Sequence, residues 1–422
     1  MEALKWINYI ISIMFFVCYF YQLVYIPIVW LFNNRNNNKQ IKNKLNRYAV
    51  LICARNEQEV IADLIESIHG QTYPGGLVDI FVMADNCNDN TAKVSKASGA
   101  IVYQRFNKVE VGKGYALKAL MDRINKDYGN VYDGYFVFDA DNILEKNYIE
   151  KMNQCFNQGN QIITSYRNSK NYGANWISAG YGLWFLRESR YLNNAREIIH
   201  SSCAVSGTGF LFSKEIAQKI NGWSYHCLTE DIEFSIDQIT KGERIAFCKE
   251  AILYDEQPVS FIQSVNQRMR WSKGYFQVLS SHGIDLIKGI FKGNFSCFDM
   301  FMNIAPAFIL SAISLVCNSI MLFKSIATFT NISDVFISVG QFILNMYLTL
   351  YVIGLITTIT EWKQIHTTSF KKIIYTFSFP IFMFTYLPIS LMALFCKITW
   401  KPIKHSFSLN RMSKEGIFLA KK

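Results

Sequence analysis

Four stretches of this 422-residue chain carry no charged side chain, and each is long enough to cross a hydrocarbon core of roughly 30 Å as a helix: 7–32, 300–323, 335–360 and 373–396. A chain with so many apolar runs cannot bury them all in a soluble core, so it is read as a membrane protein. The first run is not a signal peptide: Glu2 and Lys5 make a poor basic n-region, the run is too long, and no small-x-small cleavage site follows. Between the first and second runs the composition turns ordinary. Four parts result: a transmembrane anchor at 1–33, a soluble domain at 34–299, a membrane region of about three apolar segments at 300–396, and a basic tail at 397–422.

Arg35, Lys39, Lys42, Lys44 and Arg47 flank the anchor, and short basic flanks stay on the cytoplasmic side. The expectation is an integral protein of the plasma membrane with a cytoplasmic soluble domain. Three further crossings would put the tail outside, against its lysines, so one run is expected not to cross. Pro380 and Pro388 single out the last, as a re-entrant or interfacial element. The formal charge of +11 lies largely beside the apolar runs and no nucleic-acid signature accompanies it, so membrane lipids, not nucleic acid, are the expected polyanionic partner. The 10 cysteines are scattered without a CxxC pair, as reduced thiols are.

Within the soluble domain, β-rich runs at 48–53, 78–83, 100–103 and 135–138 alternate with helical patterns at 60–68, from Thr91, and at 114–126. Alternation predicts an α/β fold with a mostly parallel sheet, whose ligands bind at the carboxyl ends of the strands. The polar residues at those ends are Arg55, Asn56 and Glu57 after the first strand, Asp85 after the second, and Asp139 and Asp141 after the fourth. Any one aspartate there is accounted for by a turn or a helix cap; three converging on one edge point to a site. Two carboxylates at i and i+2 past a strand can share one hard cation, Mg²⁺ or Mn²⁺, with a nucleotide diphosphate completing its shell.

Lys113 lies at a glycine-flanked helix start, where amide N–H groups and a cation can face phosphate; a solvated lysine is the competing reading. The backbone of Gly207-Thr208-Gly209 can approach a sugar closely. Glu230 and Asp231 either cap a helix entered at Ile232 or place Asp231 as a general base. A helix opening at Ser260, with Gln263 completing a capping box, puts Gln267, Arg270 and Trp271 on one face at i, i+3 and i+4. An amide for hydroxyls, a guanidinium fork for phosphate and an indole for a sugar ring make a saccharide-diphosphate site; the bland alternative is a tryptophan at the membrane interface.

Asp85, Asp139-x-Asp141, Thr229-Glu230-Asp231 and Gln267-x-x-Arg270-Trp271, in this order, resemble the membrane-bound family-two glycosyltransferases: the cellulose, hyaluronan, chitin and poly-N-acetylglucosamine synthases. The resemblance covers about residues 45–280. It implies a Rossmann-like GT-A fold and inverting single displacement, with Asp85 on the uridine, Asp139 on the nucleotide, Asp141 on the metal and Asp231 as base. Gln267, Arg270 and Trp271 would hold the diphosphate and the acceptor end of the glycan. Asn86 and Cys87 depart from the usual Asp-Gly or Gly-Ser that follows the first carboxylate.

The expected reaction is processive polymerisation of a β-linked glycan from a UDP-hexose, UDP-glucose slightly ahead of UDP-N-acetylglucosamine, with export through the same protein as a further expectation. The alternative adds one sugar to a lipid acceptor such as diacylglycerol; stacking aromatics argue for the polymer. A transporter or scaffold with an inactive nucleotide fold does not explain the carboxylate motifs. Asn303, Asn318, Gln341 and Asn345 either line a glycan path or bond between helices. The tail motif 400–405 either closes over the site or anchors at the interface, and no catalytic role is assigned to it.

Overall fold

The computed structural model describes residues 2–32, 44–328, 332–399, 402–403 and 405–408. The sequence-predicted basic flank from Arg35 to Lys42, and Trp400, Lys401, Lys404 and the tail lysines from 414, lie outside the described residues.

Strand β1 (Tyr48–Ala54) is apolar throughout, as a strand covered on both faces must be. It pairs in parallel with β2 (Val78–Asp85) and with β4 (Gly134–Asp139), and β3 (Ile101–Arg105) pairs in parallel with β2. Alternate residues point to opposite faces. Val50, Ile52, Phe136 and Phe138 pack with α2 (Ile61–His69) and α5 (Tyr148–Asn157), whereas Leu51, Phe81 and Val137 pack with α4 (Lys113–Tyr128). Between β2 and β3 lies α3 (Thr91–Ala97). The predicted apolar stripe Val60, Ile61, Leu64, Ile65 and Ile68 is buried throughout.

The second half of the sheet departs from the mostly parallel expectation. β7 (Phe210–Ser213) inserts antiparallel between β4 and β6 (Ile162–Ser169), β8 (Ile245–Asp255) runs parallel to β6, and β5 (Ile143–Leu144) closes the edge antiparallel, giving the order β3-β2-β1-β4-β7-β6-β8-β5. A bulge shifts the β6–β8 register between Ser165 and Tyr166, after which Arg167 stands opposite Leu253 and Ser169 opposite Asp255. Bulges re-aim side chains beside sites. Helices α6 (Trp176–Arg187), α7 (Asn194–Ile198), α8 (Lys214–Lys219) and α9 (Glu230–Thr240) complete the domain, with a π-helical turn, Glu188–Asn193, joining α6 to α7.

The long helix α10 (Phe261–Phe291) has Ser260 at its N-cap, but the serine side chain makes no capping bond there, so the predicted capping box does not form. Beyond it follow α11 (Phe295–Ile304), α12 (Pro306–Ala327), α13 (Ile332–Thr360), α14 (Ser369–Phe384) and α15 (Tyr386–Phe395). The apolar run 300–323 is therefore not one helix: it breaks before Pro306, whose ring suits a helix start.

Among the described residues three helical stretches are long and apolar enough to cross a membrane, Tyr9–Phe32 in α1 (Glu2–Phe32), Val339–Thr360 and Ser369–Phe395, and Ala312–Lys324 of α12 is a shorter apolar stretch. The contacts say more than composition does. α12 leaves the domain and α13 returns to it, where Glu361, just past its end, pairs with Arg190 at 3.1 Å. The last apolar run starts and finishes against the domain: Lys371 Nζ donates to Gly173 O at 2.7 Å, and Ser390 and Ser272 share a hydrogen bond of 3.0 Å. It also breaks at Thr385, between the two prolines, where Arg268 of α10 donates to Phe382 O at 3.2 Å.

α1 is fastened to the domain by a buried polar knot. The Arg196 guanidinium pairs with Asp299 at 2.7 and 2.8 Å, and the hydroxyls of Tyr21 and Tyr25 donate to the same carboxylate at 2.8 Å each.

Candidate active site

One cavity of about 800 Å³ opens at the carboxyl ends of β1, β2 and β4 and continues between the apolar helices. Eleven of the residues singled out in the sequence line it: Arg55, Glu57, Asp85, Lys113, Asp139, Asp141, Glu230, Asp231, Gln267, Arg270 and Trp271. The register explains the first of them, since Cys53 stands opposite Asp139 and Ala54 opposite Ala84, so three strand ends stop at one level.

Asp85 is paired at 2.8 Å with Arg105 at the end of β3. Its neighbour Asn86 takes φ 52°, the left-handed region that glycine favours and asparagine tolerates. The amide of Asn86 holds the turn by donating to Asn107 O at 3.0 Å and accepting from Asn107 N at 2.9 Å.

Asp139 and Asp141 face different partners. Asp139 pairs with Lys113, which also donates to Gly207 O at 2.7 Å; the lysine is enclosed, not solvated. Burial opposes its charge, but Asp139 and Glu230 outweigh that and hold its pKa above the usual lysine value. Asp141 is buried, and its Oδ2 accepts from the Glu256 N–H at 2.8 Å. Behind it Asp255 is pushed up to about 6, by burial first, with Asp141 adding to the rise against the pull of Arg167. Among the described residues no three His, Cys, Asp or Glu side chains converge at metal-holding distance. The donors are nonetheless hard oxygens, crowded so that Asp255 resists ionisation, and a cation sharing its remaining ligands with a diphosphate and water fits them.

Gly207 lies among the charged groups at φ 80°; a Cβ there would stand 3.9 Å from each of Asp139 Oδ2, Asp231 Oδ2 and Arg167 Nη1. Glu230 and Asp231 form the first turn of α9 behind Thr229, so the helix is entered two residues before Ile232. Burial, chiefly, and then Asp231 push Glu230 up to about 7. Asp231 is raised too, by burial, against the stabilising N–H of Ile232, Lys113 and Arg270. On α10, Arg270 Nη1 donates to Leu228 O at 2.7 Å, just ahead of that turn. Contact this close requires Gly274, where a Cβ would lie 2.4 Å from Thr229 Oγ1. Trp271 is braced edge-on by Tyr181, with ring centroids 5.7 Å apart, and Gln267 Oε1 is buried without a partner among the described residues.

Three parts of the site were missed in the sequence. Arg167 donates to Asp255 and to Ser206 O, the latter at 2.8 Å, and its guanidinium lies 3.7 Å from the Phe185 ring centroid. An arginine in the otherwise uncharged strand IITSYRNS was the available signal. Asp255 ends β8 and Glu256 follows it, beyond the run of strands recognised from alternation. Finally the tail enters the cavity: His405 Nδ1 stands 3.0 Å from both Glu57 oxygens, and the N–H groups of Ser406 and Phe407 donate to Glu256 at 2.9 Å each. Burial opposes charge on His405, but Asp141, Glu57 and Glu256 raise its pKa well above the usual imidazole value. Burial also raises Glu57, with His405 pulling the other way. Of the two readings of this segment, closing over the site is the one that the contacts of its described residues support.

The cavity continues past Trp184 and Arg187 to Phe15 and Tyr19 of α1, Leu315, Phe342 and Met346 of α12 and α13, and Leu387 of α15. Asn303 and Asn318 line it; Asn303 accepts from Gln22 of α1 at 3.5 Å, a bond between helices, and Asn318 donates to Ser314 O at 2.7 Å, while Gln341 and Asn345 do not line it.

A model of the family described as "Glycosyltransferase like family 2" matches residues 46–274, more than half of the chain. The chain belongs to that family. "Probable glycosyltransferase YdaM" of Bacillus subtilis is 26% identical over 260 residues, covering 57% of this chain and 57% of that protein. "Beta-monoglucosyldiacylglycerol synthase" of Nostoc sp. is 24% identical over 285 residues, covering 65% of this chain and 58% of that one. The chain thus spans little more than half the length of these curated relatives. In three dimensions it is similar to the mannosyltransferase PcManGT from Pyrobaculum calidifontis, solved in complex with GDP-Man and Mn2+, with TM-score 0.57, 12% identity, and coverage of 92% of this chain and 98% of that one. That likeness shows the fold, a GT-A α/β sheet carrying apolar helices.

Proposed function

We propose that this glycosyltransferase moves a single sugar from a nucleotide diphosphate donor, a UDP-hexose with glucose favoured, to the hydroxyl of a lipid acceptor. The carrying observation is the continuity of one cavity from the carboxylates of the strand ends to the apolar faces of α1, α12, α13 and α15. Alkyl chains fit such walls, whereas a polysaccharide path is expected to present hydroxyl-binding groups along its length. The relatives named for a monoglucosylated diacylglycerol support this reading over the polymerase favoured by the sequence.

In this reading α1, α12 and α13 cross the plasma membrane, α14 and α15 dip in and return, and the catalytic domain and tail share the cytoplasmic face. The two ends of the last run, both held against the domain, support that arrangement, with membrane lipids as its surroundings.

Asp231 takes the proton of the acceptor hydroxyl, and the oxygen attacks the anomeric carbon. The bond to the diphosphate oxygen breaks on the opposite face, inverting the configuration. A raised carboxylate pKa matches a base to neutral pH better than an ordinary aspartate does. Lys113 and Arg270 face the diphosphate, Asp85 and Arg55 the nucleoside, and Trp271 and Gln267 the sugar, with Glu57, Asp139 and Glu230 completing the wall. Asp141, with Asp139, would hold Mg²⁺ or Mn²⁺, which when bound neutralises charge on the departing UDP.

The test is full-length protein in nanodiscs with radiolabelled UDP-glucose and UDP-N-acetylglucosamine, followed by solvent extraction. A singly glycosylated lipid in the organic phase is the expected product. A water-soluble polymer would reverse the choice in favour of the processive reading, which Gln267, Arg270 and Trp271 still support.

A further inference from the structure

Most buried guanidinium groups in this protein face a carboxylate: Arg105 has Asp85 at 2.8 Å, Arg190 has Glu361 at 3.1 Å, and Arg196 has Asp299 at 2.7 Å. Arg187 does not. Among the described residues its hydrogen bond is to an amide, Nη2 to Gln22 Oε1 on α1 at 2.8 Å, and its guanidinium lies 5.6 Å from the Trp184 ring centroid. Among the described residues Arg270 and Arg268 also lack an ion-paired carboxylate, but Arg270 gives Nη1 to Leu228 O at the donor end of the cavity, and Arg268 is sealed among aromatic rings, the nearest with its centroid 4.6 Å away, and does not line the cavity.

Arg187 does line it, at the end of α6 where the π-helical turn begins. Burial pulls its pKa down to about 10. The adjacent Glu188 is engaged elsewhere, accepting from Ser206 Oγ beside Gly207. A desolvated cation without a counter-charge is costly, and a ligand anion that meets it relieves that cost.

Its position defines what the anion belongs to. On one side, through Glu188, Ser206 and Gly207, lies Asp231; on the other, through Gln22, lie the apolar helices. A lipid with its chains among those helices and its reacting hydroxyl at Asp231 would bring the group linking the two past Arg187. Resting on the lipid-acceptor reading, we propose that Arg187 is an anion subsite of the acceptor path. The acceptor it selects is a glycerophospholipid whose phosphodiester stands between its acyl chains and the glycosylated hydroxyl, not a neutral diacylglycerol. The sugar transfer is unchanged: the new bond joins the headgroup oxygen to the anomeric carbon, the proton goes to Asp231, UDP leaves with the bonding pair, and the phosphodiester stays intact.

The test compares full-length protein in phosphatidylcholine nanodiscs containing phosphatidylglycerol or diacylglycerol at equal mole fraction, with products counted in the organic phase. Hydrogen bonds to a charged group predict that kcat/KM for phosphatidylglycerol exceeds that for diacylglycerol by about 10- to 100-fold, through KM. Arg187→Gln should bring the ratio close to one, and Arg187→Lys should retain part of it, which also guards against a glutamine variant that fails to fold. Equal use of both lipids by the wild-type protein, or an equal loss toward both in Arg187→Gln, overturns the subsite and leaves the lipid-acceptor reading standing. A water-soluble polymer with neither lipid labelled overturns both.

Discussion

The two ends of the cavity handle charge in opposite ways. At the strand edge, cations and carboxylates answer one another within the protein: Lys113 with Asp139, Arg167 with Asp255, His405 with Glu57, Arg105 with Asp85. Toward the membrane, one ion pair is sealed away as Arg196 and Asp299, and Arg187, in the cavity wall, has an amide and not a carboxylate as its hydrogen-bond partner among the described residues. The paired end can exchange its internal partners for a diphosphate and a cation with little rearrangement, because the donors are already aimed. The apolar end offers shape and burial, and its fixed bonds serve to attach α1.

If that contrast is right, substitutions at the two ends should fail differently. The largest effect falls on Asp231: Asp231→Asn should lower kcat by about 10²- to 10⁴-fold with donor KM nearly unchanged, in a nucleotide-release assay. Near-normal turnover would mean the base lies elsewhere. At the other end Asp299→Ala leaves Arg196 buried without its carboxylate and should cost about 3–5 kcal/mol of stability, read as a fall in unfolding midpoint in detergent. Asp139→Asn, at a side chain 34% exposed, should leave that midpoint nearly in place while activity drops, which sharpens the comparison. Chelation should silence the wild-type enzyme, and Asp141→Asn should raise the Mn²⁺ concentration needed for half-maximal rate; an unchanged metal titration would remove Asp141 from the cation site.

The smallest effect concerns pH. A base must be deprotonated, so kcat/KM should fall as pH drops, with an acid limb above the ordinary carboxylate range because Asp231 is raised. Glu230, pushed up to about 7, carries charge mainly above neutrality, and that charge repels the ionised Asp231. Glu230→Gln removes the repulsion and should move the limb to lower pH, by about one unit or less. A limb that moves upward would contradict the coupling.

The parallel half of the sheet and its strand-end residues were legible because they depend on local pattern: apolar strands, turn chemistry, and motifs within a few residues. β7 and β8 were not, since an antiparallel insertion and a bulge are decided by pairing across the sheet. Arg167 and Asp255 are 88 residues apart in sequence and meet only through that bulge. His405 and Glu57 are separated by 348, and a short basic segment after an apolar run looks like any interfacial anchor until its backbone is found on Glu256. The acceptor class was not legible, because aromatic stacking at Trp271 suits a glycan and a glycolipid sugar alike, while the walls that bear on the choice come from four separate helices.

The strap from the last helix into the cavity bears on how such an enzyme can be cut. With Pro402, Ile403, His405 and α15 lining the cavity, the segment matched by the family model does not hold the whole wall of the site. A fragment ending near residue 274 would expose Glu57 and Glu256 to water and lose the side of the site that the acceptor enters, so soluble truncations would report on nucleotide binding and stay silent about transfer.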